Sequence, residues 1–122
     1  MSEKCSEVII TGGRVRPGEL SLSGSIAESN IAKFNIDKAI IGAAGITSDG
    51  ISDFIPDEAG LRSQIIRDAD KVIVLADFAK FGIKAMCKVC SLSDIDILIT
   101  DSKAPKEILK KIEKKGVQII IV

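Results

Sequence analysis

The chain contains no histidine, no tryptophan and no tyrosine. Without an imidazole, histidine-based triads, HExxH zinc sites and histidine general bases are excluded. Any catalysis would rest on Asp, Glu, Lys, Ser, Thr, Cys or backbone dipoles. The only aromatic side chains are Phe34, Phe54, Phe78 and Phe81, too few for a base-stacking platform or an aromatic shelf for a sugar. Charge of one sign is also lacking: 17 basic residues balance 17 acidic ones. A nucleic-acid-binding module normally carries a basic excess gathered on one face, so that class is disfavoured. No apolar run approaches the roughly 20 residues of a membrane span. The first five residues, Met1 to Cys5, lack the basic-then-apolar order of a signal peptide. With that start and an odd number of cysteines, a reducing cytoplasm is the expected compartment.

What is present describes one folded domain spanning residues 1–122. The sequence is 46% hydrophobic and 28% charged, which excludes disorder, and its length suffices to bury about two-thirds of the unfolded surface. Short β-rich runs alternate with helical patterns from end to end. Val8 to Thr11 is expected to be a strand stopping at Gly12-Gly13, and Leu20 to Leu22 a shorter one. Ser25 and Glu28 have capping-box spacing, and Ile26, Ile31 and Phe34 would share one face of the helix they open. Lys38 to Gly42 reads as a strand leading into a loop over residues 43–50. A helix is expected over residues 57–69, with Leu61, Ile65 and Ala69 inward. Lys71 to Ala76 is a continuous apolar run, the pattern of a parallel strand covered on both faces. Further strands are expected over 85–90, 95–99 and 117–122, the last one buried. A helix from Pro105 to Gly116 has its late lysines at the negative end of the dipole. The fold class is α/β, a largely parallel sheet flanked by helices.

In open α/β sheets, ligands collect beyond the carboxyl ends of the parallel strands. That rule selects Gly12-Gly13-Arg14, the loop from Gly42 to Gly50, Asp77 to Lys80, and Thr100-Asp101-Ser102. Glycines allow close backbone approach to an anion, and Arg14 or Lys80 adds charge. Asp77, directly after a buried strand, could orient a hydroxyl while Lys80 holds a phosphate; the same pair is equally a turn-forming Asp and a solvated Lys. Glycine at a strand end is likewise ordinary turn chemistry. Cys87 and Cys90 have CxxC spacing, but a structural zinc needs four ligands and only Cys5 remains. In a strand, positions three apart point to opposite faces, so these read as buried thiols. No metal and no cofactor is expected. The lysine-rich final helix carries Glu107 and Glu113 and reads as a solvated face.

Taken in order, several segments resemble one family. They are Val8-Ile-Ile-Thr-Gly-Gly-Arg14, Leu22-Ser-Gly24, Asp37-Lys-Ala-Ile-Ile-Gly-Ala-Ala-Gly-Ile46, Asp49-Gly50, Asp57-Glu58, Leu75-Ala-Asp-Phe-Ala-Lys-Phe-Gly82 and Ile99-Thr-Asp101. Together they resemble the effector-sensing domain of DeoR-type transcriptional repressors. The resemblance implies a fold shared with ribose-5-phosphate isomerase and CoA transferases. It also implies binding of a phosphorylated sugar or polyol, and a homo-oligomer. Family members carry an N-terminal winged helix-turn-helix and a Ser/Thr/Gly-rich phosphate loop early in the sensor. Neither is found here, so the chain is expected to be the C-terminal portion of a sensor, meeting DNA only through an N-terminal domain it lacks, and no membrane. Carried over by motif, the ligand-binding candidates are Gly12, Gly13, Arg14, Gly42, Ala43, Ala44, Gly45, Thr47, Asp77 and Lys80, with Asp49 and Asp101 behind them.

The same resemblance tests an enzymatic alternative, an isomerase-like or CoA transferase-like activity. In the isomerase relatives the 42–47 loop supplies carboxylates and the next helix a Glu base. Here Ala44 and Thr47 stand where acids are required, Ser63 takes the base position, and Glu58 lies about one turn early. A binding domain is therefore expected, with no catalytic residues. A further alternative is an assembly module whose ligand site is incomplete.

Overall fold

The computed structural model describes residues 7–122; Cys5 lies outside them. In chain order the elements are β1 (Arg14–Val15), β2 (Leu22–Ser23), α1 (Ser25–Ile31), β3 (Ile36–Gly42), β4 (Gly45–Thr47), β5 (Gly50–Asp53), α2 (Pro56–Asp68), β6 (Ala69–Leu75), β7 (Cys87–Cys90), β8 (Ile97–Thr100), α3 (Lys106–Lys114) and β9 (Gln118–Ile121), with short 3-10 turns at Phe78–Lys80 and Leu92–Asp94. β3, β6, β8 and β9 lie side by side in that order, all parallel. β4, β5 and β7 form a small antiparallel sheet, and β1 pairs with β2 in a hairpin. The fold is α/β, as the alternating pattern predicts.

Every step across the main sheet moves in the same direction. Right-handed crossovers then place all the connections on one face. One core results, joining Ala39, Ile41, Val72, Val74 and Leu98 of the sheet to Ala59 and Ile66 of α2 and Leu109 and Ile112 of α3. Helix α2 starts where the sequence allows: Pro56 sits in its first turn with Asp57 and Glu58, and Arg67 lies in the last. Helix α3 ends at Lys114, and just beyond it Gly116 takes a φ of 94° that a side chain would resist.

Several local expectations are corrected. Val8–Thr11 is unpaired among the described residues, and Val8, Ile9 and Ile10 are exposed. A strand needs a neighbour, and its apolar run has none here. The capping box does not form, because Ser25 is already the first helical residue and Gly24 holds the cap position. Of the helix that follows, Ala27 is buried while Ile26 and Phe34 are exposed. The stretch expected as a loop over 43–50 is largely the β4–β5 hairpin. In α2 the fully buried apolar positions are Ala59 and Ile66, with Leu61 and Ile65 half-buried. β6 buries only Val72 and Val74, leaving Leu75 exposed, so the sheet is covered on one side. β9 is an edge strand, with Ile120, Ile121 and Val122 exposed.

Candidate functional site

Three loops leave the carboxyl ends of β3, β6 and β8, and backbone bonds tie them together. The Ala76 N–H donates to the Ile99 carbonyl at 3.1 Å, and the Gly82 N–H to the Ile46 carbonyl at 2.8 Å. Ile46 also bridges Phe81. The 42–47 segment, the 77–82 turn and Thr100-Asp101 therefore form one cluster.

Within it the turn carrying Asp77 and Lys80 is held from both ends. Asp77 caps the 3-10 turn, its Oδ1 accepting from the Ala79 N–H at 3.0 Å. Asp101 Oδ2 accepts from the Phe78 N–H at 3.0 Å and Oδ1 from the Lys103 N–H at 2.8 Å. Lys103 then places its ammonium 5.4 Å from the Phe78 ring centroid, within cation–π range. Both Asp101 oxygens are engaged, so Asp101 staples two loops. Lys80 is half-buried and has no acidic partner among the described residues.

The remaining candidates divide by what surrounds them. A side chain at Gly42 would meet open space, while one at Gly45 would overlap the Ile83 carbonyl oxygen. Ala43 is buried in the core, and Ala44 is half-buried. Thr47 accepts the Asp49 N–H through its hydroxyl at 3.1 Å. Thr47 and Asp49 line a cleft of about 660 Å³ that also includes Lys84, Lys88 and Ser91. A second cleft, of about 670 Å³, lies between α2 and the 89–96 segment. Neither is lined by Asp77 or Lys80.

Gly12, Gly13 and Arg14 stand apart, on the hairpin. Asn30 donates to the Thr11 carbonyl at 2.6 Å. A Cβ on Gly13 would come within 2.7 Å of the Ser23 oxygen and 2.9 Å of the Ala27 Cβ, so that glycine permits the chain to pass close to β2 and α1. Exposed Arg14 reaches Asp57, in the first turn of α2, at 3.9 Å.

This chain matches the family model described as the DeoR C terminal sensor domain over residues 1–102. It belongs to that family. It is 29% identical to the HTH-type transcriptional repressor GlcR of Bacillus subtilis over 94% of this chain and 45% of that protein. With the HTH-type transcriptional regulator GlpR of Haloferax volcanii it shares 31% identity over 98% of this chain and 48% of the relative. The glycerol-3-phosphate regulon repressor of Escherichia coli is 29% identical over 92% of this chain and 45% of its own length. The chain spans about half the length of the curated relatives it matches. No helix among the described residues is long and apolar enough to cross a membrane.

In this DeoR-type sensor the residues weighed for an isomerase base are occupied structurally. Ser63 donates to the Val89 carbonyl at 2.6 Å. Glu58 is buried, pairs with Arg16 at 2.8 Å and receives Ser21 at 3.5 Å. A second buried pair joins Asp53 to Arg62, and burial, then the neighbouring Arg16, lowers the Arg62 pKa. These pairs clip the hairpin to the start of α2 and β5 to its middle. Sequence reading missed them because the partners are distant along the chain and no local pattern announces them.

The thiols of the CxxC segment are free, both half-buried in β7. Burial, with Asp94 adding to it, pushes Cys90 up to about 11. At pH 8 only about one molecule in a thousand carries the Cys90 thiolate, the reactive form. Iodoacetamide at pH 8 is therefore expected to leave Cys90 unmodified in the folded chain, with labelling rising in denaturant. Peptide mass mapping checks this, and rapid folded-state alkylation of Cys90 would contradict the burial described.

Proposed function

We propose that this sensor domain binds a phosphorylated sugar or polyol at the carboxyl ends of β3, β6 and β8. Bound effector would then modulate DNA binding by the helix-turn-helix part of a relatives-length repressor. One observation carries the reading: Lys80 is half-buried, has no acidic partner among the described residues and sits in a turn fixed by Asp77 and Asp101. An unpaired cation held in place favours an anionic oxygen without first breaking an ion pair. Phosphate would face Lys80, with the open backbone at Gly42 close by. The Asp77 carboxylate would accept a sugar hydroxyl through the oxygen not used in capping. Arg14, loosely paired with Asp57, is the second cation available on the hairpin side. Ala43, Gly45 and Thr47 would belong to the loop framing the ligand, while Gly12 and Gly13 lie apart on the hairpin. Names among the relatives, such as glycerol-3-phosphate regulon repressor, fit an effector of this chemistry.

Signalling follows from differential affinity. An effector changes DNA binding only as far as it prefers one conformation or subunit arrangement over another. The reading is tested by thermal melts with fructose 1-phosphate, glucose 6-phosphate, ribose 5-phosphate and glycerol 3-phosphate, against inorganic phosphate and free sugars. A ligand at about 100 times its Kd adds roughly 2.7 kcal/mol. Lys80→Ala is expected to weaken the responding ligand by about 1–3 kcal/mol, roughly 5- to 150-fold, while leaving the melt of the free protein unchanged. Unchanged affinity in that variant would remove Lys80 from the site.

A further inference from the structure

The turn that carries Lys80 crosses the strand ends from one neighbour of β6 to the other. Its first residue, Phe78, is held on the β8 side, where its N–H donates to Asp101 Oδ2 at 3.0 Å. Past its last residue the chain is held on the side of the β3 loop. There Phe81 bridges Ile46, and the Gly82 N–H donates to the Ile46 carbonyl at 2.8 Å. In the sheet β6 lies between β3 and β8. Two strand spacings make the strip beneath the turn about 10 Å wide.

Each end of that strip carries a cation without a carboxylate. Lys80, last in the turn, belongs to the end nearer Ile46. Lys103 stands at the β8 end. Its N–H donates to Asp101 Oδ1 at 2.8 Å, so Phe78 and Lys103 are fixed to the two oxygens of one carboxylate. Lys103 is exposed and has no acidic partner among the described residues. Its ammonium rests 5.4 Å from the Phe78 ring centroid. An exposed cation–π contact is weaker than a charge-assisted hydrogen bond, so an arriving anion can draw the ammonium off the ring. The nearby acids compete little. Asp101 has both oxygens on backbone amides, and Asp77 has one on the Ala79 N–H.

A ligand with one phosphate on Lys80 would offer Lys103 only neutral hydroxyls. A chain of about six carbons with a charged group at each end spans roughly the width of the strip, at about 1.5 Å per bond along a zigzag. We infer that Lys103 is the anion-binding residue at the β8 end of the site, and that the effector is a sugar derivative of about six carbons with an anionic group at each end. One group faces Lys80 and the other Lys103. This rests on the effector reading above and narrows its ligand class. The second group is a phosphate or a carboxylate, which the ligands compared below distinguish.

The test is isothermal titration calorimetry on the 122-residue chain. Fructose 1,6-bisphosphate is compared with fructose 1-phosphate and fructose 6-phosphate, and 6-phosphogluconate with glucose 6-phosphate. At least one doubly anionic compound should bind about tenfold or more tighter than its singly phosphorylated counterparts, the effect of one further charged hydrogen bond. Lys103→Gln should cut that advantage to about twofold or less. Lys110→Gln, at an exposed position within α3, should keep it. Lys80→Ala should weaken both classes of ligand.

Three results overturn the inference while leaving the effector reading intact. The first is singly phosphorylated ligands that need Lys80 and bind as tightly as the doubly anionic ones. The second is a Lys103→Gln variant that weakens both classes by the same factor, since Lys103 would then merely prop the turn. The third is an equal loss of the advantage in Lys110→Gln, which would make it a long-range effect of charge. Absence of binding by every compound overturns the effector reading and this inference with it.

Discussion

Arg62→Met is expected to lower folding stability by about 3 kcal/mol at neutral pH, the low end of the range for breaking a buried pair. Asp53 is 4% exposed at the end of β5. Its Oδ1 accepts the Phe54 N–H at 2.8 Å, and its Oδ2 faces Arg62. Methionine keeps most of the aliphatic stem but leaves that carboxylate with a single donor. Two effects hold the loss to the low end. The Arg62 side chain is 27% exposed, so water already screens part of the pair. Arg62 and Arg16 also repel one another, and that repulsion disappears with the substitution. Asp53→Asn combined with Arg62→Met should recover a large part of the loss, because no uncompensated charge stays buried. Urea melts of the four proteins in a double-mutant cycle check both statements. A single variant within about 0.5 kcal/mol of the parent, the range of ordinary surface substitutions, would mean that packing alone holds β5 against α2.

The frame of the domain was legible where a pattern is local. Lys71 to Ala76 announces a strand through its unbroken apolar run, and the apolar spacing over residues 57–69 announces a helix, although Ala59 and Ile66, not Leu61, Ile65 and Ala69, form its buried face. What depends on a partner was not legible. Val8–Thr11 has the composition of a strand, but pairing is a property of the neighbour. β9 reads as buried because three isoleucines in a row look the same at an edge as in the centre. For the site, the rule that ligands gather at strand ends picked three loops that are neighbours and one, Gly12-Gly13-Arg14, that lies apart on the hairpin. It did not say that Asp101 would spend both oxygens on backbone amides. Nor did it say that the glycines of the 42–50 segment would have different reasons for being there.

Those glycines give a prediction with a large effect and a functional edge. Gly50→Ala is expected to cost about 2–6 kcal/mol, from backbone strain of about 1–3 and overpacking of about 1–3. Gly50 has φ of 133°, and its new Cβ would overlap the Cys90 carbonyl oxygen. That carbonyl belongs to β7, the strand β5 pairs with, so relief requires opening the small sheet. Gly45→Ala meets the Ile83 carbonyl oxygen and places a Cβ 2.9 Å from Ser52 Oγ. Moving Ile83 strains the bond from Gly82 to Ile46, which anchors the Lys80 turn, so this variant should lose both stability and effector affinity. Gly42→Ala has open space and should change stability by less than about 1 kcal/mol. It is therefore the substitution that separates the two meanings of a glycine here. If ligand oxygens approach the Gly42 backbone, a methyl group there should weaken the effector while the unliganded melt stays put. If affinity is also unchanged, the glycines of this segment serve packing alone, and recognition at the strand ends rests on Lys80 and Asp77.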